Sequence, residues 1–108
     1  MSETLTRNLS VESMQHRAFG KLICLKFGDE ATIRLTPKEA SSLSFALVAV
    51  RNGISPEREI YMSPIASDGA FEGAVNEAGM SISSGNHVIE LDWDEVEALA
   101  TALAQALG

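Results

Sequence analysis

The segment that decides the fold is Ala31-Thr-Ile-Arg-Leu-Thr-Pro-Lys-Glu-Ala-Ser-Ser-Leu-Ser-Phe-Ala-Leu47, because its pattern returns 56 residues later as His87-Val-Ile-Glu-Leu-Asp-Trp-Asp-Glu-Val-Glu-Ala-Leu-Ala-Thr-Ala-Leu103. In both copies apolar residues first alternate, as in a strand, and then recur every three or four positions, as in a helix. Six pairs of positions are identical: Ile33/Ile89, Leu35/Leu91, Glu39/Glu95, Leu43/Leu99, Ala46/Ala102 and Leu47/Leu103. The chain therefore predicts two copies of a strand that leads directly into a helix.

Both predicted helices begin with a capping box. Thr36 and Asp92 are residue types that favour the N-cap, and a glutamate follows each of them three positions later, at Glu39 and Glu95. Asn52-Gly53 predicts the end of the first helix. The second helix is expected to continue to the last residues of the sequence.

The strand in each copy is the second strand of a predicted β-hairpin. Gly28-Asp29-Glu30 is typical of a three-residue loop, and Gly85-Asn86 is typical of a two-residue loop. These loop lengths keep the apolar residues together on one face of each hairpin. The predicted cross-strand pairs are Leu25 with Ile33, Ile23 with Leu35, Ile82 with Ile89, and Met80 with Leu91.

Further strands are predicted upstream of each hairpin. Thr4–Val11 is expected to form the first strand and Glu12–His16 a turn, while Arg58–Ile65 and Ala70–Asn76 form two strands of the second half. The sequence thus predicts one α+β domain over residues 1–108, with antiparallel sheet and a pseudo-twofold repeat. The predicted order is β-β-β-α over about residues 1–53 and β-β-β-β-α over about residues 58–108.

Charge is distributed unevenly along the chain, whose formal net charge is −7. Residues 1–58 contain all eight basic residues and six acidic ones, a balance of +2, whereas residues 59–108 contain nine carboxylates and no Lys or Arg, a balance of −9. An acidic field repels phosphate backbones and attracts basic partners. We expect a small acidic binding or regulatory module, with a basic protein rather than nucleic acid as its partner.

Composition also predicts where the chain acts. The apolar run at residues 45–50 is far shorter than the ~20 residues that span a bilayer, so no membrane partner is expected. The sequence begins without the basic and apolar segments of a secretory signal. Cys24 is the one cysteine, which excludes an internal disulfide and favours the reducing cytoplasm. No nucleotide-binding glycine motif and no metal-binding spacing of His and Cys is present, so no cofactor or metal is predicted.

An alternative function is an enzyme or redox sensor that uses Cys24. The predicted register places Cys24 opposite Arg34, with Lys26 two residues further along the strand. Nearby cations would lower the pKa of the thiol and increase its reactivity. Catalysis also needs a base, and neither His16 nor His87 is placed beside Cys24 by the sequence, so no catalytic residue is assigned.

A second alternative is a single-stranded nucleic-acid binder. The predicted duplication of strands followed by a helix is similar in layout to single-strand-binding folds of the PUR and Whirly type, a resemblance of topology that carries no motif. Such folds bind with cations along a groove and with aromatic stacking platforms. The candidate ligand-binding cations are Lys21, Lys26 and Arg34, and the candidate stacking residues are Phe19, Phe27 and Tyr61.

Both predicted helices lack a charged outer face. The first has no charged residue between Glu39 and Arg51, and the second has none after Glu97. A helix that is apolar or small on all sides is usually covered on all sides, and one small sheet covers only one of them. We therefore predict a homodimer. Its predicted interface is Ser42, Phe45, Val48, Ala49, Ala98, Thr101, Ala102 and Gln105.

Overall fold

A computed structural model defines the chain over residues 2–6, 9–27, 31–67, 69–85 and 87–107, with the backbone alone at 2–6 and 31. The first half contains β1 (Ser2–Thr6), β2 (Leu9–His16), β3 (Gly20–Phe27), β4 (Ala31–Leu35) and α1 (Pro37–Arg51). The second half contains β5 (Glu59–Met62), β6 (Phe71–Val75), β7 (Gly79–Ser84), β8 (His87–Asp92) and α2 (Trp93–Leu107). Each set of four strands forms an antiparallel sheet in sequence order. The predicted α+β fold with two repeated hairpin–helix halves is confirmed.

The first half has four strands, and the prediction of three was wrong. Within the predicted first strand at 4–11, residues 4–6 belong to β1 and residues 9–11 belong to β2. β2 also continues through Glu12–His16, which the sequence pattern had assigned to a turn, and it pairs there with β3. This stretch is polar because an antiparallel strand can leave one face open to water.

The predicted hairpin registers are confirmed. Between β3 and β4, Leu25 lies opposite Ile33, and Ile23 lies opposite Leu35. Between β7 and β8, the corresponding pairs are Ile82 with Ile89 and Met80 with Leu91. The predicted loop at 28–30 lies outside the described residues, as does residue 86 of the second loop.

Both helices begin with the predicted capping box. Thr36 N donates to Glu39 Oε1 over 2.9 Å, and Glu39 N donates to Thr36 Oγ1 over 3.2 Å. In the second half Asp92 N donates to Glu95 Oε1 over 3.0 Å, and Glu95 N donates to Asp92 Oδ1 over 2.8 Å. Each box satisfies two backbone donors that a helix start would otherwise leave unpaired. The same local chemistry therefore starts both helices.

The two helices pack against each other in opposite directions. The Ser44 hydroxyl donates to the Ala100 carbonyl over 2.9 Å, and these two residues occupy equivalent positions, 56 residues apart. Contact between equivalent positions of two copies is expected beside a twofold axis. Arg51 Nη2, at the end of α1, lies 2.7 Å from Glu97 Oε2, near the start of α2. The helix pair thus lies at the centre of the predicted pseudo-twofold repeat.

One hydrophobic cluster connects both sheets with both helices. Within it the equivalent leucines Leu43 and Leu99 are fully buried, and so are Leu47 and Leu103. The identical positions of the repeat therefore serve the same purpose, which is to fill one shared core. Within the described part of the chain, neither helix is long and apolar enough to cross a membrane.

Candidate functional site

Cys24 lies on the outer face of the first sheet, opposite Arg34 as predicted, but it is only 3% exposed. Burial raises the pKa of the Cys24 thiol, and this effect outweighs Arg34 and Lys26, which lower the pKa, while Glu12 raises it further. The thiolate is the reactive form of cysteine, so a raised pKa lowers the reactivity of the thiol at neutral pH. Arg34 and Lys26, the cations that suggested a reactive cysteine, are present, but their effect on the pKa of the thiol is smaller than that of burial.

The three predicted ligand-binding cations do not form one surface. Lys26 and Arg34 belong to the same outer face of β3 and β4 as Cys24. Lys21 has the parity of the core residue Ile23, and its Nζ donates to the Leu107 carbonyl over 3.4 Å. Strand residues at odd and even positions point to opposite faces, so placing Lys21 with the other two was wrong.

The cations that do share the outer face are partly neutralised. Lys26 Nζ lies 2.5 Å from Glu12 Oε1 on the neighbouring strand β2. The predicted stacking residues are also dispersed. Phe27 is buried in the core, Phe19 lies in the turn beside His16, and Tyr61 is exposed on the second sheet. Cations and aromatic platforms are therefore not brought together on one groove.

The predicted interface residues of α1 lie on its outer face. Ser42, Phe45 and Val48 are exposed, and Ala49 is half-buried. Phe45 stands out because 75% of its surface is exposed. Ile54, just beyond the end of α1, is exposed to a similar extent. Along α1 there is no charged side chain between Glu39 and Arg51.

On α2 one predicted interface residue is wrongly placed. Thr101 and Gln105 are exposed and Ala98 is half-buried, but Ala102 is only 3% exposed and belongs to the core. The reason is that α2 contacts strands of both sheets as well as α1, so a wider arc of its circumference is buried. The periodicity of one helix does not show how many neighbours that helix has.

The outer face of the second sheet forms a shallow concavity with a volume of about 300 Å³. Along the strands the side chains of this face alternate with Ile60, Ile82 and Ile89, which belong to the hydrophobic core or pack against it. Two rows of side chains cross the four strands: Glu59, Ala74, Ser81 and Glu90 in one, and Tyr61, Glu72, Ser83 and Val88 in the other. Small residues form the floor, and carboxylates, Tyr61 and Val88 stand around it. This surface was not among the predicted sites, although the alternation of residues along β5 to β8 indicates which side chains share one face.

The two sheets differ at the edge strand that precedes each helix. On β4 the Arg34 N–H donates to Ser67 Oγ, and the Ser67 hydroxyl donates to the Arg34 carbonyl over 3.1 Å. The backbone groups of Arg34 therefore face away from β3, and Ser67 satisfies them both. Ile33, the neighbour of Arg34 on this strand, is fully buried.

The equivalent edge of β8 is open. Every second residue of an edge strand directs its N–H and C=O outward, and on β8 these residues are Val88 and Glu90, the equivalents of Thr32 and Arg34. No backbone or side-chain partner crosses this edge at Val88 or Glu90 within the described part of the chain. Val88 is 63% exposed, and Ile89 is only half-buried, unlike its equivalent Ile33.

Comparisons with models of protein families, with curated proteins and with solved structures found no significant match to this chain. Over the residues that are described, no group of three or more His, Cys, Asp or Glu side chains is arranged to hold a metal ion. The candidate functional site is therefore inferred from the geometry of the described surfaces. Its two components are the apolar outer face of α1 and the acidic outer face of the second sheet with its open edge.

Proposed function

We propose that this chain is a small acidic binding module of the cytoplasm that acts as a homodimer and has no catalytic chemistry of its own. The observation that carries the proposal is the exposure of Phe45 on the outer face of α1. Burial of a phenylalanine side chain stabilises a protein by about 1.5–3 kcal/mol, so a monomer forgoes that stabilisation here. Val48, three residues further along α1, and Ile54, just beyond its end, are exposed apolar side chains as well. Exposed apolar patches are typical of interaction sites.

A second copy of the chain is the partner that fits the outer face of α1 best. Two molecules that each carry a net charge of −7 repel each other unless they meet through a surface without carboxylates. The outer face of α1 is such a surface. At its end, Arg51 is already paired with Glu97. A stable interface buries at least ~1,000 Å² in total, which helical turns from both copies can supply together with Ile54.

The test is the molecular mass of the protein in solution, measured by light scattering and by sedimentation at micromolar concentration. We expect a dimer for the wild-type chain and a folded monomer for Phe45→Lys, because a buried lysine without a partner opposes association. Tyr61→Lys is the matched control, since Tyr61 is an exposed aromatic residue on the outer face of the second sheet and its replacement should leave the dimer intact.

A wild-type chain that remains monomeric at these concentrations would contradict the homodimer. Equal loss of association in both variants would also contradict it, because the effect would then follow from added positive charge alone. Ala102→Glu is not a suitable test, since Ala102 is buried and its replacement would destabilise the core.

The two alternative functions receive less support. Burial of Cys24 and the raised pKa of its thiol weigh against an enzyme or redox sensor that uses this residue. Glu59, Glu72 and Glu90 on the outer face of the second sheet weigh against a nucleic-acid groove there. The cytoplasmic location is supported by the free thiol, which a reducing compartment keeps unoxidised.

A further inference from the structure

We propose that the open edge of β8 accepts an extended, basic segment of another protein as a fifth strand of the second sheet. This inference names a partner class for the proposed binding role but does not depend on the homodimer.

The geometry of the edge is that of a strand-addition site. Val88 and Glu90 present their N–H and C=O groups outward, and no described segment pairs with them. A peptide that adds to such an edge gains main-chain hydrogen bonds, and its alternate side chains fall on the two faces of the sheet. On the inner face they would cover the half-buried Ile89, and on the outer face they would lie beside Val88 and Glu90.

The closed edge shows what the open edge lacks. On β4 the Ser67 hydroxyl occupies the outward N–H and C=O of Arg34, and Ile33 beneath this edge is fully buried. On β8 the same position is Glu90, and Ile89 retains exposed surface. The repeat thus contains one edge with an internal partner and one without, at equivalent positions of the same framework.

The charge around β8 favours a basic segment, rather than β8 of a second copy of the chain, as the added strand. A strand added to β8 would extend the outer face that already carries Glu59, Glu72 and Glu90, with the exposed Asp92 at the end of β8. Lysine or arginine at alternate positions would oppose these carboxylates, and their long stems reach farther than the ~4.8 Å between strands. Antiparallel pairing of β8 with β8 of another copy would bring Glu90 and Asp92 close to like charges, which destabilises cross-strand pairs.

The experiment uses a labelled peptide of alternating Lys and Val with the six-residue length of β8, added to the full chain at low ionic strength. Two control peptides replace Lys by Glu or carry N-methyl groups on the backbone nitrogens that would face β8. We expect the Lys/Val peptide to bind, the Glu/Val peptide not to bind, and N-methylation to weaken binding by about tenfold. Amide hydrogen exchange at Val88 and Glu90 should be fast in the free protein and slow in the complex.

Variants of the chain locate the site. Val88→Pro removes one outward N–H and should weaken peptide binding about tenfold, because proline is tolerated on an edge strand but cannot donate. Thr32→Pro is the matched control at the equivalent position of β4 and should leave binding unchanged. Circular dichroism reports whether each variant folds. If Val88→Pro does not fold, Glu90→Lys replaces it as the test and should abolish binding. Phe45→Lys should bind the peptide as the wild type does, which separates this inference from the homodimer.

Three results would overturn the proposal. The first is the absence of binding to the folded wild-type chain. The second is binding that N-methylation and Val88→Pro leave unchanged, or that does not slow amide exchange at Val88 and Glu90, because the contact would then be one of charge alone. The third is exchange at these two amides that slows as the concentration of free protein rises, which would identify a second copy as the occupant of the edge.

Discussion

On the edge strand β4 of the first half Ser67 satisfies the outward backbone groups of Arg34, whereas in the second half no described group pairs with those of Glu90 on the equivalent strand β8. Both halves share hairpin registers, capping boxes and buried leucines at equivalent positions. They differ at the edge strands, because β4 is bonded to Ser67 and β8 is bonded to no described segment. They also differ in formal charge, which is +2 over residues 1–58 and −9 over residues 59–108. The shared features build the common framework of hairpins, helices and core. The differences lie at the surface, where partners are chosen.

The largest expected effect tests whether the two halves are equivalent in the core. Leu47→Ala and Leu103→Ala should each lower the free energy of unfolding by about 2–5 kcal/mol, because both side chains are fully buried in one cluster. Urea denaturation followed by circular dichroism measures both values. A cost below ~1 kcal/mol for either variant would show that its site is not a core site.

A smaller effect tests the difference between the edges. Ser67→Ala removes the side chain that satisfies both outward backbone groups of Arg34, so β4 becomes an open edge like β8. We expect a loss of about 0.5–1.5 kcal/mol in the free energy of unfolding. Amide exchange at Arg34 should accelerate to the rate at Glu90, its equivalent on β8. If exchange at Arg34 does not change, Ser67 is not what closes this edge.

The smallest effect concerns Cys24, which corresponds to Ser81 in the second half because each lies opposite the equivalent residue, Arg34 or Glu90. The pKa of the Cys24 thiol is raised in the folded protein, chiefly by burial. Below the thiol pKa of the unfolded chain, the raised pKa of the folded protein contributes fully to its stability. This contribution is lost as pH rises through the thiol pKa of the folded protein. Relative to Cys24→Ala, the wild type should therefore lose stability as pH rises above the ordinary thiol pKa of about 8.5.

Reaction of the Cys24 thiol with a disulfide reagent provides an independent check. It should be slow at pH 7 in the folded protein and fast after unfolding, because burial both protects the thiol and keeps it protonated. Fast reaction in the folded state at neutral pH, accompanied by loss of partner binding in Cys24→Ser, would restore the redox alternative.

Much of the fold could be predicted because the signals are local. A capping box spans four residues, and Thr36 and Asp92 make theirs with glutamates of the same helix. Loop length sets hairpin register, so Leu25 opposite Ile33 could be inferred without any distant contact. The prediction failed for β2, where Glu12–His16 is polar but pairs with β3, because a solvated strand and a turn have similar composition.

The candidate site could be predicted only in part. Phe45 on the outer face of α1 followed from helical periodicity, and its exposure agrees with that interpretation. Ala102 and Lys21 were misplaced, one because α2 contacts both sheets and the other because its parity on β3 turns it away from Lys26. The acidic concavity required the pairing of four strands, since Glu59 and Glu90 belong to strands that are far apart in sequence.

The sequence by itself determined the repeat, the helix boundaries, the hairpin registers and the leucines that fill the core. Each of these depends on side chains within one turn, one hairpin or one helical stripe, where spacing and geometry are linked directly. Only the tertiary structure decided which surfaces remain uncovered. Ser67 closes β4 at Arg34, which lies 33 positions earlier in the sequence, and no local pattern in either segment indicates that contact. Coverage of an edge or a face depends on how distant segments pack, and that packing is what leaves β8 and Phe45 available to partners.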